Sequence, residues 1–194
     1  YGITTDNSGN AYVTGYETRT DIGQGDNVWI RKYDTNGLVL WTTTYNSPAN
    51  STDQGRGITT DNNGNVYVTG YENRADLGQN YNVWVRKYDA NGLVLWTTTY
   101  NSLANSNDQG YSITAENNGN VYVVGSENRI DIGQGDNILL RKYVQTYPNA
   151  SPTGLNVISR STITIQWGWT DNASNESGYR VKKGDGSLLF SELP

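Results

Sequence analysis

The chain contains no cysteine, no histidine and no methionine, one phenylalanine and only four prolines. Without cysteine there is no disulfide framework and no thiolate metal site. Without histidine the commonest general base and the commonest neutral metal ligand are missing. Translation starts with methionine, so Tyr1 reads as a processed or internal start and the 194 residues as a piece of something longer. Long hydrophobic runs are lacking too. None approaches the roughly 20 apolar residues of a membrane span, and no targeting segment stands out. Positive charge is in deficit, with 14 Lys and Arg against 19 Asp and Glu, a net charge of −5 and a pI near 4.7. That balance offers nucleic acid no basic face and anionic lipid no polybasic anchor.

What the chain does have is aromatic and small. Fifteen Tyr and six Trp carry much of an apolar content of only 35%, alongside 22 Gly. Aromatic side chains bury large areas and suit pleated surfaces. A mean hydropathy of −0.69 raises the question of disorder. Regular aromatic and β-branched runs answer it in favour of an all-β, Asn/Gly/Thr-rich and extracellular protein.

The runs are regular because the chain repeats itself. DNSGNAYVTGYETR (residues 6–19) returns as DNNGNVYVTGYENR (61–74) and as ENNGNVYVVGSENR (116–129), 55 residues apart each time. Residues 1–55 and 56–110 are identical at 43 of 55 positions. The third copy keeps register through Arg141, Lys142 and Tyr143 and then departs. Where the others read DTNGLVLWTTTY and DANGLVLWTTTY, it reads VQTYPNASPTGL.

Each full copy divides into four strand-like runs between turn signals. In the first copy these are Gly2–Thr5, Ala11–Glu17, Val28–Tyr33 and Leu38–Tyr45. DNSGN makes the first turn, with Gly9 free to take positive φ, and Asn36-Gly37 makes a hairpin. Four short antiparallel strands at a fixed period describe one blade of a β-propeller. One such sheet has two apolar faces and cannot bury both alone, so copies must stack. The expected assignment puts Val28, Ile30 and Leu40 against one neighbour and Trp29, Val39 and Trp41 against the other. Two complete blades and a third without its fourth strand do not close a ring of the usual four to eight.

These repeats closely resemble the β-propeller repeat family of bacterial secreted proteins, often called seven-bladed propeller repeats. The resemblance sits in D-x-x-G-N-x-Y-V-T-G-Y (Asp61, Gly64, Asn65, Tyr67 to Tyr71), V-W-V-R-K-Y-D-x-N-G (Val83 to Gly92) and L-x-W-T-x-T-Y (Leu93 to Tyr100), and covers residues 1 to about 144. It implies propeller blades, an extracellular or cell-surface setting and no catalytic activity. The blades then run 1–55, 56–110 and 111–144.

Residues 145–153, which include Pro148 and Pro152, read as a linker. Beyond it Thr162–Trp167 alternates Ile163, Ile165 and Trp167 on one face, which makes a half-buried strand. Gly178–Lys183 and Leu188–Phe190 are two further strands. Residues 154–194 resemble the first half of a bacterial fibronectin type III module, a partial β-sandwich. The residues that carry the likeness are Pro152, Leu155, Ile163, Trp167, Trp169 to Asn172 and Glu176 to Val181.

Candidate sites were weighed repeat by repeat. Asp21 and Asp26, with Asp131 and Asp136 in the third copy, flank glycines in a polar loop of the kind calcium favours. The second copy puts Tyr81 where Asp26 stands, so a solvated loop is the preferred reading and no cofactor is expected. The trio Glu17, Arg19 and Asp21 recurs as Glu72, Arg74, Asp76 and as Glu127, Arg129, Asp131. An active site is normally single, so a trio in every copy points to ion pairs between blades rather than catalysis. Arg31 and Lys32 alternate in direction, so one is expected to meet a neighbouring blade's acid and the other solvent. Trp29, Trp84, Tyr16 and Tyr71 could stack a sugar once per blade; packing between blades is preferred.

No nucleophile–base pair, metal cluster or phosphate loop is visible. The expected function is therefore a non-catalytic extracellular structural or adhesive protein. It would act through surface display or assembly, including strand exchange into a filament or matrix. Its expected partners are other copies of itself or surface proteins at open sheet edges. The alternative is a lectin-like propeller that binds glycans at one shallow site per blade.

Overall fold

The computed structural model describes residues 1–117 and 119–144 in full and residues 153–160, 165–170, 179–182 and 188–192 as strands. The chain divides into two compact units, Tyr1–Gln145 and Thr146–Pro194. The first holds three antiparallel sheets. Sheet 1 comprises β1 (Gly2–Thr5), β2 (Ala11–Thr18), β3 (Asp26–Tyr33) and β4 (Val39–Tyr45). Sheet 2 comprises β5 (Gln54–Thr60), β6 (Val66–Asn73), β7 (Tyr81–Tyr88) and β8 (Val94–Tyr100). Sheet 3 comprises β9 (Gln109–Ala115), β10 (Val121–Asn128) and β11 (Asp136–Tyr143). Strand order within each sheet follows the chain. The fold is thus all-β, in units consistent with propeller blades. The second unit contains β12 (Thr153–Arg160) paired with β13 (Ile165–Thr170), and β14 (Tyr179–Lys182) paired with β15 (Leu188–Glu192), all antiparallel. Most of the expected linker, and Ile163, lie outside the described residues. Among the described residues no helix is long and apolar enough to cross a membrane.

The turns form where small and Asx residues place them. Asp6 accepts the backbone N–H groups of Ser8 and Asn10, both at 2.9 Å, and Gly9 takes φ 81°. Asp34 does the same for Asn36 and Leu38 at the β3–β4 turn. The polar loop after β2 is more ordered than its composition suggests. It makes a 3-10 turn, Thr20–Ile22, closed by Gly23 in the left-handed region, and the same turn recurs as Ala75–Leu77 and Ile130–Ile132.

The core lies between sheets, not within any one of them. One cluster joins Tyr12, Val28 and Ile30 of sheet 1 to Ile58, Val66, Val68, Trp84 and Tyr88 of sheet 2, with Trp41 and Tyr45 packed against it. The second cluster repeats it one step on. Tyr67, Val83 and Val85 of sheet 2, with Trp96 and Tyr100, meet Ile113, Val121, Val123 and Leu139 of sheet 3. Among the described residues sheet 2 is therefore covered on both faces, and sheets 1 and 3 on one each. Even the stacked turns are a repeat apart: Asn7 Nδ2 donates to Asn62 Oδ1 at 3.2 Å and Thr60 Oγ1 to Thr5 O at 3.1 Å. A Cβ on Gly55 would lie 2.2 Å from Thr14 Oγ1, and one on Gly110 2.2 Å from Thr69 Oγ1. The sheets approach this closely only because glycine stands there.

One expectation about faces is corrected. Trp41 shares a face with Val28 and Ile30, while Val39 and Leu40 are exposed. The pairing register is the reason. Tyr45 stands opposite Val28, Thr43 opposite Ile30 and Trp41 opposite Lys32, and a register shift follows between Lys32 and Tyr33. Paired residues share a face, so Trp41 joins the core and the hairpin tip is left wet.

The same tryptophan position has two fates. Trp84 is fully buried between sheets 1 and 2, whereas Trp29 is half-buried on the open face of sheet 1. Trp84→Ala is expected to cost about 3–5 kcal/mol of unfolding free energy in urea, or to prevent folding. Trp29→Ala should cost no more than about 1 kcal/mol. Equal costs would contradict the stacking order.

Candidate functional site

The recurrent polar residues converge on the joints between sheets. At the end of β4, Tyr45 reaches across and donates its hydroxyl to Glu72 at the end of β6. Its ring stacks on Trp84, centroids 5.0 Å apart, and the Arg86 guanidinium lies 4.2 Å above its centroid. Tyr100 repeats this at the next joint. It donates to Glu127 at 2.6 Å under the Arg141 guanidinium at 3.8 Å. Burial, then the hydrogen bond to the carboxylate, pushes the Tyr45 hydroxyl well above its ordinary pKa and the Tyr100 hydroxyl up to about 12. Both stay neutral donors at any physiological pH. Each joint therefore seats one tyrosine between a carboxylate and a guanidinium. At the first joint the ring also stacks on Trp84, and at the second Tyr100 packs against the cluster that contains Leu139.

A second fastener is a buried aspartate in the loop between sheets. Asp53 is fully buried. Its carboxylate accepts the Ser47 N–H at 2.5 Å and the Asn73 N–H at 2.9 Å, while its own N–H donates to Asp26 O at 2.7 Å. It thus ties the end of sheet 1 to the end of β6. Asp108 does the same with Ser102, Asn128 and Tyr81 O. Burial raises Asp53 to about 6 and opposes the pull of its two N–H donors, and Asp108 is raised for the same reason. A third link uses one carbonyl: Trp41 Nε1 and Lys32 Nζ both donate to Ala90 O of sheet 2, at 3.1 and 3.2 Å.

The trio expected to form ion pairs between blades forms them within its own loop. Arg19 meets Asp21 at 3.1 Å and Glu17 at 3.5 Å, Arg74 meets Asp76 and Glu72, and Arg129 meets Asp131 and Glu127. The 3-10 turn brings the three side chains together, which sequence spacing alone did not reveal. What reaches Glu72 and Glu127 across the joint is a tyrosine hydroxyl, not a loop arginine of the neighbouring copy. Nor does Lys32 meet a neighbouring acid: it lies over the Tyr12 ring and bonds a carbonyl.

The calcium candidates are engaged singly. Asp21 and Asp131 face their arginines, and each carboxyl is held below its usual range by that contact. Asp26 accepts from Thr18 Oγ1 and Gln54 Nε2, and Asp136 from Asn128 Nδ2. Among the described residues no three or more acidic side chains group as a metal site. Of the aromatic candidates, Trp84 and Tyr71 are buried, while Trp29 and Tyr16 border an open cavity of about 230 Å³ on sheet 1. Tyr1, Val13, Thr14, Gly15 and Glu17 complete its lining. Tyr45, Asp53 and their copies were missed. The recurrent W-T-T-T-Y and D-Q-G strings were the available signal, since a charge kept in a neutral loop asks for a partner.

Residues 40–73 match the beta-propeller repeat family. No curated protein matches the chain. The matched stretch of this beta-propeller repeat runs from β4 through the connecting loop to the end of β6. It therefore contains Tyr45, Asp53 and Glu72, the residues that fasten sheet 1 to sheet 2.

Asp53 makes the joint pH-dependent. A carboxyl raised in the folded state adds stability that is fully present below about pH 4 and lost as pH rises through about 6. Asp53→Asn removes that titration. The stability advantage of the native chain over Asp53→Asn should therefore narrow between pH 4 and 7 in urea unfolding. An advantage that widens with pH would show that the two N–H donors outweigh burial.

Proposed function

We propose that the chain is part of a non-catalytic structural or adhesive protein of the cell surface or extracellular space, acting through display and assembly of its sheets. One observation carries this reading. The recurrent carboxylates, guanidiniums and tyrosines, where catalysis or metal binding would reside, are engaged at the joints and loops between the described sheets, while apolar Ile3, Ile138 and Leu140 are exposed on sheets 1 and 3. The all-β architecture and the beta-propeller repeat at 40–73 suit a rigid display scaffold. In this reading the C-terminal strand pairs belong to a spacer of fibronectin type III kind.

The test has two arms. Protease applied to intact cells that make the protein should remove it, and beads coated with it should clump or adhere to those cells. Protection inside intact cells, together with inert beads, would overturn the reading.

A second reading rests on the open cavity beside Trp29 and Tyr16, whose aromatic lining suits the apolar face of a sugar. It narrows the lectin alternative to one site on sheet 1. Glycan-array binding lost on Trp29→Ala, with the fold retained, would support it. A flat array would remove it.

A further inference from the structure

The β7–β8 hairpin tip carries a chemically unstable dipeptide, and sheet 1 holds it still. Asn91-Gly92 lies in that turn. Glycine has no side chain to shield its nitrogen, so an asparagine before glycine is the pair most open to attack by the backbone nitrogen on the asparagine amide. Asn91 is exposed, so water and hydroxide reach it. The turn itself opposes the attack. Gly92 N–H donates to Asp89 O at 3.1 Å, and Asp89 Oδ1 accepts the N–H groups of Asn91 at 2.9 Å and of Leu93 at 2.8 Å. For the Gly92 nitrogen to reach Asn91 Cγ, the peptide between them must swing out of this turn and release Asp89 O.

What blocks the swing comes from the neighbouring sheet. The Ala90 carbonyl, at the corner of the turn, accepts Trp41 Nε1 at 3.1 Å and Lys32 Nζ at 3.2 Å. The Trp41 ring lies against Gly92, so that a Cβ added there would sit 3.0 Å from Trp41 Cδ2. The turn therefore moves only when the joint between sheets 1 and 2 opens at this corner. The fold also supplies a comparison. Asn63-Gly64 is a second such pair in sheet 2, and a Cβ on Gly64 would meet Ala90 Cβ of its own sheet, at 3.4 Å, and no atom of sheet 1 within 4 Å.

We propose that Asn91 is a site of spontaneous succinimide formation gated by this joint. Closed, the joint protects it; each opening lets it react, and the product keeps the joint from closing as before. The step needs only water. Gly92 N gives up its proton and bonds to Asn91 Cγ, the Cγ–Nδ2 bond breaks, and Nδ2 leaves as ammonia. Water then opens the ring at either carbonyl. One opening leaves aspartate. The other leaves isoaspartate, which runs the main chain through Cβ and Cγ and adds one carbon to the turn. A longer turn does not keep Ala90 O on Trp41 and Gly92 N–H on Asp89 O at once, and either product sets a new carboxylate beside Asp89. The reaction runs one way, so the joint carries a chemical record of its own opening. The inference goes beyond the display role and does not rest on it.

The test ages the full chain at mildly alkaline pH, where the attacking nitrogen loses its proton most readily. Each site is followed by peptide mass and by isoaspartate-specific methylation. Asn91 should convert more slowly in the folded chain than in the same chain unfolded in urea, in proportion to the time the joint spends open. Trp41→Phe keeps a ring against Gly92 and removes the Nε1 donor. Lys32→Met keeps the stem and removes the Nζ donor. Each loses one bond to Ala90 O, so Asn91 should convert roughly three- to tenfold faster while Asn63 keeps its rate. If one variant does not fold, the other decides, and the comparison of folded with unfolded native chain needs neither. Chain converted to isoaspartate at residue 91 should unfold at lower urea than fresh chain, and Asn91→Asp, with the charge but not the extra carbon, should fall less. Conversion as fast in the folded chain as in urea, or unchanged by both variants, would overturn the gate. So would a rise at Asn63 in step with Asn91, which would assign the effect to global unfolding. A converted chain with the midpoint of fresh chain would overturn the one-way claim.

Discussion

The structure depends on covering both faces of thin sheets. A four-stranded antiparallel sheet of this length has little interior of its own, and the residues that stabilise it point outward above and below. Sheet 2 shows the solution complete. It has Trp84 and Tyr88 toward one neighbour and Tyr67, Val83 and Val85 toward the other, all fully buried. Sheets 1 and 3 show it half done. Burial of apolar area at about 25 cal/mol per Å² supplies the drive, and the 55-residue period ensures that each new copy presents what the previous one accepts.

Hydrophobic contact alone would let sheets slide. Polar fasteners set the register. The tyrosine hydroxyl seated on a glutamate, the buried aspartate that gathers two backbone N–H groups, and the shared Ala90 carbonyl each fix one position across a joint. A buried carboxylate without such partners is expensive, so misregister carries a penalty that a purely apolar face would not impose. The same reasoning separates the loop arginines from the joint. Arg19, Arg74 and Arg129 hold their own 3-10 turns in shape, and those turns place Glu72 and Glu127 to receive a neighbour's tyrosine.

Much of this was legible in the residues. The strand limits follow the apolar runs to within about two residues, and Gly9 at positive φ with Asp6 bonding nearby backbone is what the DNSGN string implies. Stacking of copies was legible too, because one sheet with two greasy sides permits little else. The sequence misled in two places. The face occupied by Trp41 depends on the β3–β4 pairing register, and periodicity within one strand does not fix pairing between strands. The partner of Glu72 is 27 residues away in another repeat, a distance at which composition is silent. The 3-10 turns hid for a different reason: a three-residue turn in a polar loop has no period to detect.

Hydrogen exchange in the folded chain tests the account most directly, because local opening reports how each segment is held. If covering both faces is what stabilises a sheet, backbone amides of β6 and β7 should exchange slowest of all. The equivalent amides of β2 and β3, and of β10 and β11, should exchange faster although their sequences are nearly the same. Equal protection in the three sheets, or a middle sheet that opens as readily as its neighbours, would contradict it.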